Sequence, residues 1–180
     1  VDKEACPNNL APTSSTTAAL VMGDAIAVSL ISANNFTSED FAMSHPSGSL
    51  GRRLLTLVSS IMNSGDDIPV VSKETLLIDS LLIMSEKALG IVLIAENQKL
   101  IGIFKDGDLR RAIESNIDFQ KLAIQEIMTI DCKSIQPQES ALKAIQMMKK
   151  YSINSFPVVD SNNNIVGAIN MNTLIQAKLI

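Results

Sequence analysis

The residues best suited to proton chemistry lie in a glycine-punctuated stretch, residues 44–53, which contains the only histidine of the chain, His45. An imidazole titrates near neutral pH, so this side chain can accept or release a proton during catalysis. The alternative is a loop histidine that only hydrogen-bonds to backbone groups. The Thr37–Asp40 segment has the pattern of a capping box, which predicts a short helix just before this stretch. We therefore expect His45 in a loop directly after that helix, and the residues alone favour the hydrogen-bonding role over a catalytic one.

The four arginines of the chain form two adjacent pairs, Arg52–Arg53 and Arg110–Arg111. A pair of guanidinium groups can bind one phosphate, although charges on a solvated helix face would give the same pattern. The net charge is −4, and aromatic residues make up only 3% of the sequence. A nucleic-acid surface needs a broad basic patch and usually aromatic side chains for stacking, so this class of partner is excluded. Small anionic ligands are consistent with the composition.

The cysteines and the N-terminal region predict a cytoplasmic protein. Cys6 and Cys132 are far apart and lack the spacing of a metal site, so we expect reduced thiols. The chain begins with valine, which predicts a natural N-terminus further upstream, and no signal-peptide pattern is visible. The apolar stretch Thr17–Ala33 predicts a helix that needs cover on most sides, from upstream chain or from a partner. Asp24 interrupts this stretch, which is shorter than the roughly 20 apolar residues of a membrane span.

The remaining two-thirds of the chain contain one pattern written twice. Three landmarks recur in the same order at a spacing of 65 or 66 residues. Chance does not explain three landmarks at nearly one spacing, so the two halves are copies of one unit. The paired landmarks are Ile61-Met62 with Ile127-Met128, Val92–Ile94 with Pro157–Val159, and Gly102–Phe104 with Gly167–Ile169.

Each copy predicts the same order of elements. A short helix ends at the Ile-Met pair, and an extended piece, a helix with an apolar stripe, a two-stranded hairpin and a closing helix follow. We expect Thr75 and Ser140 to cap the striped helices, and residues 116–123 to link the copies. The predicted pieces are the extended residues 68–71 and 133–135, the strands 90–95, 100–104, 155–160 and 165–169, and the closing helices 107–115 and 171–179.

A small unit of this kind has a sheet face that it cannot cover alone, and two units can cover each other by packing sheet to sheet. The fold class is therefore α/β (α+β), with a pseudo-two-fold axis between βαββα-type modules. The pattern resembles a tandem cystathionine-β-synthase (CBS) domain pair, with modules at residues 58–116 and 117–180 behind a helical tail at 1–57. The resemblance implies a nucleotide-like ligand in the clefts between the modules, usually one that regulates an attached enzyme.

In the CBS family, the segment after the landmark glycine often reads Gly-x-x-Thr/Ser-x-x-Asp, whose hydroxyl and carboxylate meet the phosphate and ribose of the ligand. Copy one has Lys105 at the hydroxyl position and keeps the carboxylate as Asp108, which could equally cap a helix. Copy two has Asn170 and Thr173 there and lacks the carboxylate. The candidate ligand contacts of the clefts are Lys105, Asp108, Arg110, Arg111, Asn170 and Thr173.

The first 57 residues resemble the end of the sugar isomerase (SIS) domain of the arabinose 5-phosphate isomerase family. The resemblance rests on the segments 9–17, 22–25 and 40–53. It implies interconversion of ribulose 5-phosphate and arabinose 5-phosphate, which feeds Kdo and lipopolysaccharide synthesis, with His45 as an active-site residue. Ser47 stands where the family has a glycine.

The two resemblances together imply an isomerase with a regulatory tail. The phosphate-binding loop and the catalytic lysine of the isomerase family lie upstream, so we expect this chain alone to be inactive. The implied substrate is a sugar phosphate, no cofactor is required, and the implied regulator is AMP- or ATP-like or the nucleotide sugar CMP-Kdo. A homo-oligomer, dimer or tetramer, is expected, without nucleic acid or membrane partners. The alternatives are a stand-alone CBS ligand sensor and an oligomerisation module without catalysis.

Overall fold

The computed structural model describes residues 1–46, 48–115 and 118–180. Over these residues the chain forms a helical N-terminal segment and two βαββα-type halves. The helices are α1 (Ser14–Ala33), α2 (Ser38–Ser44), α3 (Ser49–Leu55), α4 (Leu77–Lys87), α5 (Asp106–Glu114), α6 (Ala141–Tyr151) and α7 (Met171–Gln176). The strands are β1 (Val70–Ser72), β2 (Ile91–Glu96), β3 (Lys99–Lys105), β4 (Ser155–Val159) and β5 (Ile165–Asn170).

Helix α1 confirms the predicted apolar helix and begins three residues earlier. Its N-terminus is held by the carboxylate of Glu4, which accepts hydrogen bonds from the backbone N–H groups of Thr13 at 2.7 Å and Ser15 at 3.2 Å. None of its residues is buried, although Leu, Val, Ile and Met recur on all its sides. The helix is long and apolar enough to cross a membrane by length and composition.

The predicted capping box opens α2. The Thr37 hydroxyl accepts a hydrogen bond from the Asp40 N–H at 3.2 Å, and the Asp40 carboxylate accepts one from the Thr37 N–H at 2.9 Å. The chain then turns through His45, and α3 begins after Gly48. His45 therefore lies directly after a short helix, as the sequence predicts.

The first half is a three-stranded sheet with two helices. Strand β1 runs parallel to β2, and β2 pairs antiparallel with β3 in a hairpin that turns at Asn97 and Gln98, both with positive φ. Apolar residues three and four apart turn one face of α4 towards this sheet. The core of this half is formed by Val71, Leu77, Met84, Val92, Ile94, Phe104 and Ile124.

The second half repeats this arrangement with a shorter first strand. Strands β4 and β5 form an antiparallel hairpin, and the third strand is reduced to a parallel bridge between Ile135 and Val158. The extended piece predicted at residues 133–135 thus contributes only two backbone hydrogen bonds, both through Ile135. The core of this half includes Val58, Met148, Phe156, Val158, Ile169 and Leu174.

One predicted cap is present and the other is wrong. Ser140 accepts a hydrogen bond from the Lys143 N–H at the start of α6. Thr75 lies one position too early, because Leu76 occupies the cap position of α4. The Thr75 hydroxyl instead bonds with the Ser72 hydroxyl at 3.1 Å.

Next to each Ile-Met landmark, a segment of one half pairs with a strand of the other half. The sequence did not predict this exchange of segments. The segment leading into the first half pairs with β5, because Asn63 and Ala168 exchange two backbone hydrogen bonds of 2.9 and 3.0 Å. The segment leading into the second half pairs with β3 in the same way, through Ile103 and Thr129. Each half therefore completes the sheet of the other.

The landmark glycines are explained by the same exchange. A Cβ atom added at Gly167 would lie 2.5 Å from Met62 Sδ and 2.8 Å from the Asn63 carbonyl oxygen. A Cβ added at Gly102 would lie 2.6 Å from Met128 Sδ. Each methionine thus packs on the glycine of the opposite half, where a side chain has no room.

The two sheets pack on each other as predicted. Leu100 N–H bonds to the Asn163 carbonyl and Ile165 N–H to the Gln98 carbonyl, both at 3.0 Å, so the two hairpin turns are joined. A third apolar cluster fills the space between the sheets and draws on both halves: Leu89, Ile91, Leu93, Leu100, Ile103, Val159 and Ala168.

The predicted boundary between the modules, at residues 116 and 117, lies outside the described residues. The rest of the predicted linker is docked on the first half. Leu77 N–H bonds to the Leu122 carbonyl at 2.8 Å, and Ile78 N–H bonds to the Phe119 carbonyl at 3.1 Å. These bonds satisfy N–H groups at the start of α4, which a helix leaves without internal partners.

Candidate functional site

The carboxylate of copy one is held by its own helix. Asp108 is 7% exposed and accepts a hydrogen bond from the Lys105 N–H at 2.9 Å. It also accepts one from the guanidinium of Arg111, whose side chain is largely exposed. The predicted cap of a helix starting at Leu109 is not what the structure has, because α5 begins at Asp106 and its cap residue is Lys105. Asp108 instead lies in the first turn and supports the helix start through the Lys105 N–H. Contact with a ligand stays a prediction.

Two small cavities flank this carboxylate at the boundary between the halves. One, of about 290 Å³, is lined by Asp108, Arg111 and Thr129 among others. The second, of about 220 Å³, is lined by Lys105 and Lys133, with Thr129 again on its wall. Because Thr129 belongs to the segment that crosses from the second half, both halves build this site. Lys105 and Lys133 can attract an anionic group to the smaller cavity, and the Asp131 carboxylate on the same wall offsets part of their positive charge.

Cys132 and Tyr151 complete the lysine-lined cavity. Burial raises the pKa of the Cys132 thiol, which stays protonated at neutral pH. The Tyr151 ring lies near two ammonium groups, with Lys133 Nζ 5.6 Å and Lys150 Nζ 5.3 Å from its centroid. An aromatic ring beside cationic groups suits a ligand that carries both a flat ring and a phosphate.

The candidate polar residues of copy two hydrogen-bond to one another. The Asn170 side chain caps α7 by accepting a hydrogen bond from the Thr173 N–H at 2.9 Å. The Thr173 hydroxyl lies 3.0 Å from the same amide oxygen and 3.3 Å from the side-chain oxygen of Asn63. Asn63, which the sequence reasoning missed, enters this cluster through the exchanged segment.

A larger cleft between the halves has a volume of about 700 Å³, within the usual range for small-molecule sites. Its walls come from α4, α5 and the start of α7. Its polar lining residues are Ser85, Asp106, Asn154, Asn170 and Asn172, and its apolar ones include Leu81, Met84, Leu89 and Leu109. Carboxamides and a carboxylate can bind the hydroxyl groups of a sugar or ribose.

Four of the six predicted cleft residues line cavities, and these four are distributed over three of them. Lys105 lines the lysine-lined cavity, Asp108 and Arg111 line its neighbour, and Asn170 lines the large cleft. Thr173 hydrogen-bonds to Asn170 and lines none of these three cavities. Arg110 is exposed and lines none of these three cavities, as a solvated charge would.

His45 lies apart from these cavities. Its backbone N–H bonds to the Phe41 carbonyl at 3.0 Å, and its exposed ring lies 4.8 Å from the Phe41 ring. It lines none of the three cavities described above. Its neighbour Ser47 lies outside the described residues. The His45 side chain is exposed to solvent at the end of α2. Its catalytic role stays a prediction.

Glu4 is a further polar residue that the sequence reasoning did not single out. Hydrogen bonds from the Ser15 hydroxyl and the Thr13 backbone lower the pKa of this carboxyl to about 2. The sequence holds no local signal for this role, because Glu4 reaches across nine residues to the helix that it caps. Over the part of the chain that the structure describes, no group of His, Cys, Asp and Glu side chains could hold a metal ion.

Comparison with known proteins extends these observations. The chain is 50% identical over 179 residues to arabinose 5-phosphate isomerase KdsD of Francisella tularensis, which covers 99% of this chain and 55% of that protein. The chain thus spans about half the length of the curated relatives it matches.

Solved structures of CBS proteins share the fold. The CBS domain pair of protein MJ0100, in complex with 5′-methylthioadenosine and S-adenosyl-L-methionine, is 24% identical with a TM-score of 0.60, covering 67% of this chain and 94% of that one. CBSX2 in complex with AMP is 20% identical with a TM-score of 0.60, covering 69% and 96%. The sequence profile of the CBS domain matches residues 58–115 and 124–179, the two halves that exchange their leading segments. The chain belongs to the CBS domain family.

Proposed function

We propose that the chain is the C-terminal part of an arabinose 5-phosphate isomerase, which interconverts ribulose 5-phosphate and arabinose 5-phosphate for Kdo and lipopolysaccharide synthesis. The observation that carries this proposal is the 50% identity to a named isomerase over 99% of the chain. The match is not confined to the CBS pair, whose profile begins only at residue 58. The similarity to the isomerase therefore also includes residues 1–57, with His45 among them.

Residues 1–57 form the end of the sugar isomerase domain in this proposal. Helix α1 supports it, because a helix that is apolar on all sides is normally buried, yet no residue of α1 is buried here. Upstream chain of the isomerase domain would cover it. Asp24 lies near the middle of the helix, where an ionised carboxylate would be costly in a bilayer. We therefore place the protein in the cytoplasm.

The proposed role of His45 is proton transfer. An aldose–ketose isomerisation opens the sugar ring, moves a proton between two adjacent carbons and moves another between their oxygens. An imidazole can serve any of these transfers at neutral pH. One histidine does not supply all of them, and the sugar phosphate also needs a binding loop. The 180-residue chain alone is therefore inactive in this proposal.

The CBS pair serves as the regulatory unit and binds a nucleotide or a nucleotide sugar. The cavity lined by Lys105 and Lys133 is the proposed site of the ligand's phosphate, and Lys105→Ala tests it. The 700 Å³ cleft, which Lys105 does not line, has room for a nucleotide. MJ0100 and CBSX2 were crystallised with adenosine compounds, which makes AMP and ATP the first candidates. Copy two lacks the carboxylate and presents amides instead, so CMP-Kdo is the second candidate. The assembly is a homo-oligomer, dimer or tetramer.

An isomerase assay tests the proposed activity. Arabinose 5-phosphate formation from ribulose 5-phosphate is measured for the protein extended upstream to the length of its relatives, for its His45→Asn variant and for the 180-residue chain. We expect activity only in the extended protein with His45. Turnover by the 180-residue chain, or an active His45→Asn variant, would contradict the assignment.

Calorimetric titration tests the regulatory site. AMP, ATP, CMP and CMP-Kdo are titrated separately into the 180-residue chain, its Lys105→Ala variant and, as a control, its Lys121→Ala variant. Lys121 is 83% exposed and lies outside the cavities. We expect one nucleotide to bind, with affinity lost on Lys105→Ala and kept on Lys121→Ala. No binding by any of the four would favour the purely structural role of the CBS pair.

A further inference from the structure

The turn that carries His45 is packed directly against the backbone of α3. Gly51, in the first turns of this helix, is buried. A Cβ atom added there would lie 2.3 Å from the His45 carbonyl oxygen and 3.1 Å from Pro46 Cα. Both contacts are with backbone atoms, which cannot rotate away as a flexible side chain can. The absence of a side chain at Gly51 therefore sets how closely the histidine turn approaches α3.

The other end of α3 is docked on the second CBS module. The Arg53 side chain donates a hydrogen bond from Nε to the carbonyl oxygen of Leu179, which is 2% exposed. The chain leaving α3 then pairs with the start of α6. The Thr56 carbonyl accepts from the Ala141 N–H at 2.7 Å, and the Val58 N–H donates to the Glu139 carbonyl at 2.9 Å.

Helix α3 thus joins two parts of the molecule that the sequence separates by more than 90 residues. Its first turns fix the backbone of His45, and its last turn and exit are bonded to α6 and to the segment after α7. A helix of seven residues is short enough to act as one rigid piece. The position of the His45 turn is therefore set by contacts with the second module as well as by α2.

We propose that Gly51 and Arg53 are positioning residues for His45, with α3 holding the histidine turn in place from the second CBS module. The inference rests on the proposed catalytic role of His45, but its geometric part can be tested without activity. A small displacement of a catalytic group costs up to about 100-fold in rate, so the positioning has a catalytic consequence.

The first experiment measures the environment of His45 in the 180-residue chain by NMR, from its ring and backbone resonances and those of Phe41. Gly51→Ala is compared with Gly48→Ala, whose added Cβ would meet the same His45 oxygen at an ordinary 3.4 Å. Arg53→Ala is compared with Arg52→Ala, whose side chain is exposed. We expect the His45 and Phe41 resonances to shift in Gly51→Ala and Arg53→Ala and to stay in place in both controls.

Unchanged His45 resonances in Gly51→Ala and Arg53→Ala would overturn the inference. Equal shifts in the test and control variants would overturn it as well, because the effect would then not depend on these contacts. If Gly51→Ala does not fold, the comparison of Arg53→Ala with Arg52→Ala decides the question alone.

The second experiment measures kcat and KM for arabinose 5-phosphate formation by the extended protein. We expect Arg53→Ala to lower kcat by about 10- to 100-fold with little change in KM, because it displaces a reacting group and leaves the substrate site in place. A rise in KM at constant kcat would contradict a positioning role. An active His45→Asn variant would contradict the proposed function instead, and the NMR comparison would still stand by itself.

Discussion

At the scale of residues, the two copies cap the N-terminus of their last helix with different side-chain hydrogen bonds. In copy one Lys105 has no acceptor at the cap position, and Asp108 reaches back to its N–H. In copy two the Asn170 side chain caps directly, and Thr173 supplies the N–H. The sequence left cap and ligand contact equally open for Asp108, because both roles require the same carboxylate, six residues after Gly102 in the motif. Only the coordinates show which hydrogen bonds are made.

Asp108→Ala should destabilise the chain by about 1–3 kcal/mol, because it removes a nearly buried carboxylate that accepts two hydrogen bonds. The free energy of unfolding in urea is the measurement. Glu114→Ala, an exposed substitution in the last turn of the same helix, is the control and should change it little. Equal effects of the two substitutions would contradict the assigned hydrogen bonds.

Glu4 gives a pH dependence with a defined sign. Its pKa is lowered from 4.5 to about 2 by hydrogen bonds at the start of α1, so the folded state favours the ionised form. The stabilisation of the helix start should be fully present above about pH 4.5 and should be lost as the pH falls towards 2. NMR titration of the Glu4 carboxyl carbon, together with amide hydrogen exchange in the first turn of α1, measures it. A pKa near 4.5 for this carboxyl would contradict the cap.

At the scale of elements, the helices and hairpins of the repeat follow from local pattern, whereas the exchange of leading segments does not. The periodicity of α4 and the polar turns of both hairpins report on neighbouring residues, so the sequence predicts them. The pairing of Asn63 with Ala168 joins residues more than 100 positions apart, and no local pattern encodes it. The repeated Ile-Met and glycine landmarks were the only sequence sign of this pairing, because each methionine packs on the glycine of the other half.

Gly167→Ala should destabilise the chain by about 1–3 kcal/mol through this exchange, because its Cβ would meet the Asn63 carbonyl oxygen at 2.8 Å. Gly107→Ala is the matched control. Its nearest neighbour would be Arg111 Nη1 at 3.8 Å, and alanine in a helix is favoured over glycine. In urea, Gly167→Ala should lower the free energy of unfolding and Gly107→Ala should raise it. An unchanged free energy of unfolding in Gly167→Ala would contradict the close contact between Gly167 and Asn63.

At the scale of the whole molecule, the histidine turn and the cavities between the two halves lie in different parts of one connected structure. The sequence predicted both sites but gave no relation between them. The coordinates supply one through α3, which packs on His45 at one end and bonds to Leu179 at the other. The segment that ends at Leu179 begins with α7, whose first residues line the large cleft. Such long-range contacts depend on the folded arrangement of both halves, which residue spacing alone does not encode.

The most direct test of the account is the rate of arabinose 5-phosphate formation by the protein extended upstream to the length of its relatives, measured with and without saturating AMP, ATP or CMP-Kdo. The account predicts that the extended protein isomerises ribulose 5-phosphate, that one of these nucleotides changes its rate, and that Lys105→Ala removes that change. An extended protein that produces no arabinose 5-phosphate under any of these conditions would contradict it.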